Sequence, residues 1–194
     1  MRVPATAVIR LRPLREDDVP TVASWGQDPR FVEHAGWTPG LPDSELRSFW
    51  RSLVSSPPPG LLRLGAERDR VLIGYVDLHG EGSEQRELGY AIGPSSCWGQ
   101  GLGTAVAEAA LTHAFEMLGL ESVWAEALPA NAASLRILQR IGMRSTGSGE
   151  QEVFRGVTGS YEQFRITRPE HALLSAPAVP PAPPADLPGT ARRR

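Results

Sequence analysis

Residues 98–104 read WGQGLGT, a glycine-rich turn between a predicted strand and a predicted helix. The strand covers residues 86–92, and the alanine-rich helix covers residues 104–118. Glycines leave backbone N–H groups unobstructed, and the N-terminus of a helix adds positive potential. The turn therefore predicts a binding site for a phosphate or a pyrophosphate.

Two common kinds of phosphate loop are excluded by the residues around this turn. No Gly-Lys-Ser or Gly-Lys-Thr follows, so it is not a Walker loop. Its glycines do not have the G-x-G-x-x-G spacing of the dinucleotide-binding pattern, and the strands before it form a meander rather than a βαβ unit.

Periodicity and turn signals place the other elements around this turn. Acidic residues at positions 16–18 favour a helix that runs to about residue 25. Short polar gaps between three successive strands favour an antiparallel meander. The predicted strands are residues 7–13, 61–67, 71–78, 86–92 and 122–127, with two more within 144–154 and 160–168; the other predicted helices are residues 43–53 and 131–141. In the predicted helix of residues 104–118, Met117 is expected on the apolar stripe that faces the core. The order β-α-α-β-β-β-α-β-α-β-β predicts an α/β (α+β) fold with a mixed sheet and helices on both faces.

Composition narrows the function classes and the domain organisation. With 20 basic and 22 acidic residues the chain has a net charge of −2, which argues against a nucleic-acid binder. A single cysteine, Cys97, rules out an internal disulfide, and no apolar run is long enough to span a membrane. The N-terminus does not read as a signal peptide, so we expect a cytoplasmic protein. We expect one domain over residues 1–171 and a disordered tail rich in Pro and Ala over residues 172–194.

Two segments resemble the acyl-CoA site of the GCN5-related N-acetyltransferases. They are residues 100–103 (QGLG), which enter a helix, and residues 131–134 (NAAS), followed by Gly142 and Met143. The opening residues 11–18 (LRPLREDD) and the closing residues 161–169 are similar to the RimJ/RimL subgroup, the ribosomal-protein-alanine N-acetyltransferases. The resemblance covers about residues 8–170. It implies a mostly antiparallel sheet of about seven strands flanked by four helices.

The sequence departs from the family pattern at two positions. Trp98 stands where many members have Arg or Gln, and Met143 where Phe is common. The catalytic Tyr of other branches has no counterpart at a matching position, so the general acid is the least certain role.

The resemblance implies acetyl-CoA as cosubstrate, no metal, and direct attack by an amine without an acyl-enzyme. Cys97 is then a structural thiol. The backbone of Gln100, Gly101, Leu102, Gly103 and Thr104 would hold the pyrophosphate, Asn131 would contact the pantetheine arm or cap its helix, and Ser134 would lie near the sulfur. Backbone N–H groups around Ala91 and Ile92 would stabilise the oxyanion.

Glu87 is the first candidate for the general base. In the strand ELGYAI, residues 87–92, the period of two puts Glu87 on one face with Gly89 and Ala91, which leaves room for a ligand. Leu88, Tyr90 and Ile92 then point towards a core. A solvated glutamate at a strand start is the competing interpretation, Glu126 is the second candidate, and His79 and His113 are weaker ones.

The acceptor is an amine that the sequence does not identify. A protein N-terminal amine is the first candidate, with a polyamine or an amino-sugar antibiotic as alternatives. Residues 28–56, with His34, Trp37 and Trp50, are the expected acceptor wall. A non-catalytic acyl-CoA sensor, a longer acyl donor and a partner-binding tail also remain open, as do a monomer and a homodimer.

Overall fold

A computed structural model describes residues 8–175 of the chain. It contains seven strands and six α-helices joined by short 3₁₀ turns. In chain order these are β1 Arg10–Pro13, α1 Val19–Ser24, α2 Pro29–Ala35, α3 Asp43–Ser55, β2 Leu61–Arg68, β3 Val71–His79, β4 Gln85–Ile92, α4 Leu102–Thr112, β5 Ser122–Ala127, α5 Ala132–Arg140, β6 Arg144–Phe154, β7 Val157–Thr167 and α6 Arg168–Ser175.

The predicted fold class and the seven strands are confirmed, and two helices were not predicted. Helix α2 is only seven residues long, but Asp28 caps it and Pro29 opens it, which are standard start signals. Helix α6 continues to Ser175, four residues beyond the predicted domain boundary at residue 171. The rest of the predicted tail lies outside the described residues.

The strands form one sheet in the order β1-β2-β3-β4-β5-β7-β6. Every neighbouring pair is antiparallel except β4 and β5, which pair in parallel over three residue pairs, from Gln85–Ser122 to Glu87–Trp124. Beyond Glu87 and Trp124 the two strands no longer pair with each other, although β4 continues to Ile92 and β5 to Ala127. A gap therefore opens in the middle of the sheet.

Each face of the sheet is covered differently. Helices α4 and α5 cover the first face, where Leu88, Val106, Leu138 and Phe164 are among the buried residues. Helices α1, α2 and α3 cover part of the second face with a separate aromatic cluster that includes Trp25, Phe31, Trp50 and Tyr75. On β5 and β7 the second face instead carries partly exposed polar side chains, which leaves space for a ligand.

Helix α4 ends in a π-helical turn, His113–Met117, which corrects one predicted core position. The amide of Leu118 donates to the carbonyl oxygen of His113, five residues back. This turn contains one residue more than an α-helical turn, so the side chains after it are rotated about the axis. Met117, expected on the buried stripe, is 74% exposed as a result.

The close approach of β3 and β4 at Gly74 generates a stability prediction. A Cβ at Gly74 would lie 2.3 Å from the carbonyl oxygen of Ala91, whereas a Cβ at Gly89 would meet only the Cβ of Asp77, at 3.7 Å. We expect Gly74→Ala to lower the free energy of unfolding by about 1–3 kcal/mol, because the strand backbone must shift. Gly89→Ala is the control and should be nearly neutral. Denaturant unfolding measures both, and equal losses would contradict this account.

Candidate functional site

The N-terminus of α4 carries backbone amides that no side chain caps. Gly101 is the N-cap residue in the left-handed region (φ 79°), and the first intrahelical bond runs from the amide of Ala105 to the carbonyl oxygen of Gly101. The amides of Leu102, Gly103 and Thr104 therefore precede the helical hydrogen bonds. Since no side chain accepts from these amides, the helix start can bind an anion.

Glycine has two different uses in this turn. Gly99 and Gly101 have φ values of 78° and 79°, and a Cβ at either would meet no atom within 4 Å, so the turn needs them for conformation and its surface is open. Gly103 instead lets α4 pack on α5, because its Cβ would lie 2.7 Å from Cδ1 of Ile137. Gly99 belongs to the same glycine pattern but was not among the residues predicted to hold the pyrophosphate.

Other predicted residues of the turn have limited roles. The side chain of Leu102 is buried, so this residue can offer a ligand only its backbone. Gln100 is exposed and its side-chain amide donates to the carbonyl oxygen of Ser96 over 3.3 Å.

The gap between β4 and β5 is lined on one side by unpaired backbone. The amide of Gly93 donates to the carbonyl oxygen of Ile73 over 3.0 Å, so by the alternation of an antiparallel ladder the amide of Ala91 also faces β3. The amides of Tyr90 and Ile92 then face the gap. Of the two predicted oxyanion positions, the ladder therefore orients the amide of Ile92 towards the gap, and that of Ala91 away from it.

Glu87 and Glu126 lie on the second face, close to the point where β4 and β5 separate. Glu87 is opposite Trp124, and Glu126 follows two residues later on the same face of β5. Partial burial raises the pKa of Glu87, and the negative charge of Glu126 raises it further, while His79 opposes the rise. Oε2 of Glu126 accepts a hydrogen bond from Nε2 of Gln163 at 3.1 Å. Both predicted candidate bases are thus brought to one place.

Ser134 and Asn131 are held at the start of α5, beside a tyrosine that was not predicted as a site residue. Oδ1 of Asn131 accepts from the amide of Ser134 over 3.2 Å, so Asn131 does cap the helix. The side chain of Tyr90 reaches Ser134 from β4. Burial raises the pKa of Tyr90 to about 12, and the neighbouring Ser134 hydroxyl opposes part of that rise. The period of two indicated only that Tyr90 points inwards.

Helix α2 is attached to the turn that precedes α4. Oδ2 of Asp28 accepts from the amide of Ser95 at 2.7 Å, while Oδ1 accepts from two amides of its own helix. The ring of His34 lies 4.9 Å from that of Trp98, centroid to centroid. Nε1 of Trp98 in turn donates to the carbonyl oxygen of Ile92 over 2.6 Å. Helix α2 and the glycine turn are therefore one packed unit.

The same helix also contacts the tip of the β6–β7 hairpin. The ring of Phe154 lies 5.7 Å from that of His34, and Arg155 pairs with Glu33 at 3.1 Å. Of the predicted wall residues, Trp37 and Trp50 pack in the aromatic core around Tyr75. His34 alone of the three contacts both the turn and the hairpin.

Three remaining predictions concern the role of Cys97, metal binding and a membrane-spanning segment. Cys97 is a free, partly buried thiol. In the part of the chain that the structure describes, no three His, Cys, Asp or Glu residues are grouped so as to hold a metal ion. Over the same residues, no helix has both the length and the apolar character needed to cross a membrane.

Comparison with known proteins finds one family model and many similar folds. The model of the acetyltransferase (GNAT) domain matches residues 9–144. An uncharacterized N-acetyltransferase of Bacillus subtilis, YoaA, is 31% identical over 101 residues, which cover 50% of this chain and 56% of that protein. This chain thus matches little more than half the length of that relative.

Two solved structures show the same fold at low sequence identity. A GNAT-family acetyltransferase from Bacillus anthracis aligns with a TM-score of 0.69 and 19% identity, covering 83% of this chain and 96% of that one. Spermidine N-acetyltransferase from Vibrio cholerae, in complex with CoA and spermine, aligns with a TM-score of 0.71 and 18% identity, covering 84% and 97%. The family model spans most of the described residues and the whole of the glycine turn, so the chain belongs to the GNAT acetyltransferase family.

Proposed function

We propose that the protein is an acetyl-CoA-dependent N-acetyltransferase that acts on a primary amine. One observation carries the proposal: the gap between β4 and β5 has an uncapped helix N-terminus at one end and two carboxylates at the other. An extended thioester with an anionic end and a reactive end matches that arrangement. Membership of the acetyltransferase family supports the same activity.

The residues present fit the cosubstrate. The amides of Leu102, Gly103 and Thr104, with the backbone of Gln100 and Gly101, would bind the pyrophosphate at the start of α4. Asn131 holds the first turn of α5 in place and is available to the pantetheine arm. Acetyl-CoA supplies the acetyl group as a thioester, the same chemistry that a longer acyl-CoA would supply.

The chain's own groups account for the proton and the charges of the transfer. Glu87 accepts a proton from the acceptor ammonium, so the amine can attack; Glu126 is the alternative base. The amide of Ile92 donates to the oxygen that becomes negative as the N–C bond forms. The C–S bond then breaks, its electron pair goes to sulfur, and the hydroxyl of Ser134 donates a hydrogen bond to that sulfur. The second proton of the nitrogen goes to the thiolate, so the products are the amide and the free thiol.

A peptide N-terminal amine is the first candidate acceptor. Glu87, Trp124 and Arg165 are opposite one another on β4, β5 and β7, so they form a row about 10 Å long on the second face. A cleft of about 340 Å³ borders this row and is lined in part by Thr146 and Gln163. Its amide, hydroxyl and guanidinium groups can donate to the carbonyl oxygens of a peptide that follows the amine.

A polyamine is the second candidate, supported by charge. Burial raises the pKa of Tyr161, and the negative charges of Glu126, Glu152 and Glu87 raise it further, so this region of the second face favours a cation. Asp77 is paired with Arg63, but these three glutamates form no salt bridge within residues 8–175. The Vibrio cholerae enzyme of similar fold is named for spermidine.

Replacing Gly101 tests the cosubstrate site. Valine at φ 79° is strained, and its side chain would cover the amides of α4, so we expect Gly101→Val to weaken acetyl-CoA binding at least tenfold by calorimetry. Gly119→Val is the matched control, because Gly119 has φ 71° but lies beyond the π-helical turn, away from the site. Equal affinity in the two variants would sink the assignment.

The pH profile of kcat/KM tests the base. Because the pKa of Glu87 is raised, we expect activity to fall as the pH drops through that raised pKa and the carboxylate becomes protonated. Glu87→Gln should remove this acidic limb of the pH profile and lower turnover, while the affinity for acetyl-CoA stays intact. Glu126→Gln removes a like charge, so it should move the limb to lower pH. A limb that survives in Glu87→Gln and disappears in Glu126→Gln would transfer the role to Glu126.

Arg165 distinguishes the two acceptor classes. Thiol release from acetyl-CoA is measured with a short peptide that has a free N-terminus and with spermidine. If a peptide lies along the row, Arg165→Glu should lower kcat/KM for the peptide about fivefold and not for spermidine. Arg68→Glu, at the far end of β2, is the control. A gain for the peptide, or no change, would favour the polyamine. Acetyl-CoA binding without turnover of any acceptor would favour a sensor.

A further inference from the structure

The hydroxyl of Tyr90 is buried and has no hydrogen-bond partner of standard geometry. Among the residues the structure describes, only Nε1 of Trp50 shares that condition among buried side-chain atoms. Leaving a buried hydroxyl unpaired costs about 1–3 kcal/mol, so natural proteins rarely do so without a reason. Phenylalanine would fill the same space without this cost.

The position of Tyr90 suggests the reason. Tyr90 belongs to β4 and Ser134 to the first turn of α5, the helix that follows β5. Tyr90 packs on the first face against the same core cluster as Leu135 and Leu138 of α5, so it lies on the side of the sheet that carries Ser134. The Ser134 hydroxyl is near enough to oppose the rise in the pKa of Tyr90. The amide of Ile92, two residues after Tyr90, faces the gap between β4 and β5. The orphaned hydroxyl thus lies on the side of Ser134, the side chain that is proposed to face the sulfur of the thioester.

We propose that Tyr90 is a positioning residue, whose hydroxyl donates to Oγ of Ser134 when the thioester is bound and turns the hydrogen of Ser134 towards the leaving sulfur. The inference rests on the proposed function, in which Ser134 faces that sulfur. A serine hydroxyl has one hydrogen and two lone pairs, so it can accept from Tyr90 and donate to sulfur at once. Two hydrogen bonds in series also strengthen each other in a site of low dielectric.

Tyr90 keeps its proton throughout the reaction. Burial raises its pKa to about 12, well above that of a thiol, so the phenol is a hydrogen-bond donor over the neutral range. The N–C bond forms, the C–S bond breaks, and sulfur leaves as a thiolate stabilised by Ser134. One proton of the acceptor ammonium goes to Glu87, and the second goes from nitrogen to the thiolate as the amide forms, so the thiolate needs none from Tyr90.

The competing explanation is that the ring of Tyr90 only packs against the core of the first face. The variant Tyr90→Phe keeps that packing and removes only the hydroxyl. Desulfo-CoA lacks the sulfur atom of CoA. The difference between the affinities of the two compounds therefore measures the contact with sulfur and does not require turnover. Ser134→Ala and the double variant show whether Tyr90 acts through Ser134.

The experiment measures dissociation constants of CoA and desulfo-CoA by calorimetry, and kcat with saturating acetyl-CoA. We expect the full-length protein to bind CoA about fivefold more tightly than desulfo-CoA, and both single variants to lose this ratio. In Tyr90→Phe, kcat should fall about tenfold with the acceptor KM unchanged, and the unfolding midpoint should rise because the unpaired buried hydroxyl is gone. Adding Tyr90→Phe to Ser134→Ala should cause no further loss of kcat. Tyr75→Phe removes another buried hydroxyl, in the aromatic cluster of the second face, and should keep the CoA preference.

The outcomes separate this inference from the proposed function. A wild-type CoA preference that persists in Tyr90→Phe, or additive losses in the double variant, would overturn the role of Tyr90 and leave the transferase intact. If the ratio of CoA to desulfo-CoA affinity depends on Tyr90 but no acceptor is acetylated, the role of Tyr90 at the sulfur stands and the transferase is refuted. Failure to bind CoA would overturn both.

Discussion

The separation of β4 and β5 after Glu87 and Trp124 is the constraint on which the site depends. A parallel ladder that continued to Ile92 would pair its amide with β5 and leave no room for a ligand. The hydrogen bond from Trp98 to the carbonyl oxygen of Ile92 satisfies one group on this unpaired edge. Nothing in the described protein satisfies the amide of Ile92 across the gap, so it is free for a ligand.

The elements at the two ends of the gap are tied together by helix α2. Asp28 links the start of the helix to the turn before α4, and His34 links its end to Trp98 and to the hairpin tip. Contacts of this kind can hold a turn that has no regular secondary structure, here the one before α4, in a single conformation. The glycine turn and helix α2 therefore share one scaffold, as the proposed placement of two substrates against each other requires.

Electrostatics divides the second face into two regions. Glu87 and Glu126 lie near the point of strand separation, and Arg165 lies one strand beyond Trp124. A cation is attracted at one end of this row and an anion or a carbonyl oxygen at the other. The partial burial of Glu87 beside a like charge makes its carboxylate a stronger proton acceptor, which suits an amine that must lose a proton.

Local signals in the sequence were sufficient for the seven strands and for the position of the glycine turn. Strict alternation in residues 87–92 and the glycines of residues 98–104 act over a few neighbours, so they could be interpreted without the fold. The same holds for Asn131 as a helix cap. Where the local signal was short, as in α2, or altered by an extra residue, as in the π-helical turn, the prediction failed.

The sequence by itself determined the family, the order of the strands along the chain and the turn that can bind a phosphate. Only the tertiary structure decided that Glu87 and Glu126 meet, that the amide of Ile92 and not of Ala91 faces the gap, and that Tyr90 reaches Ser134. The two side-chain relations join elements more than 35 residues apart in the chain, and the orientation of the Ile92 amide depends on the register of β4 against β3. Local periodicity states which face a side chain takes, but not which other side chain it meets there.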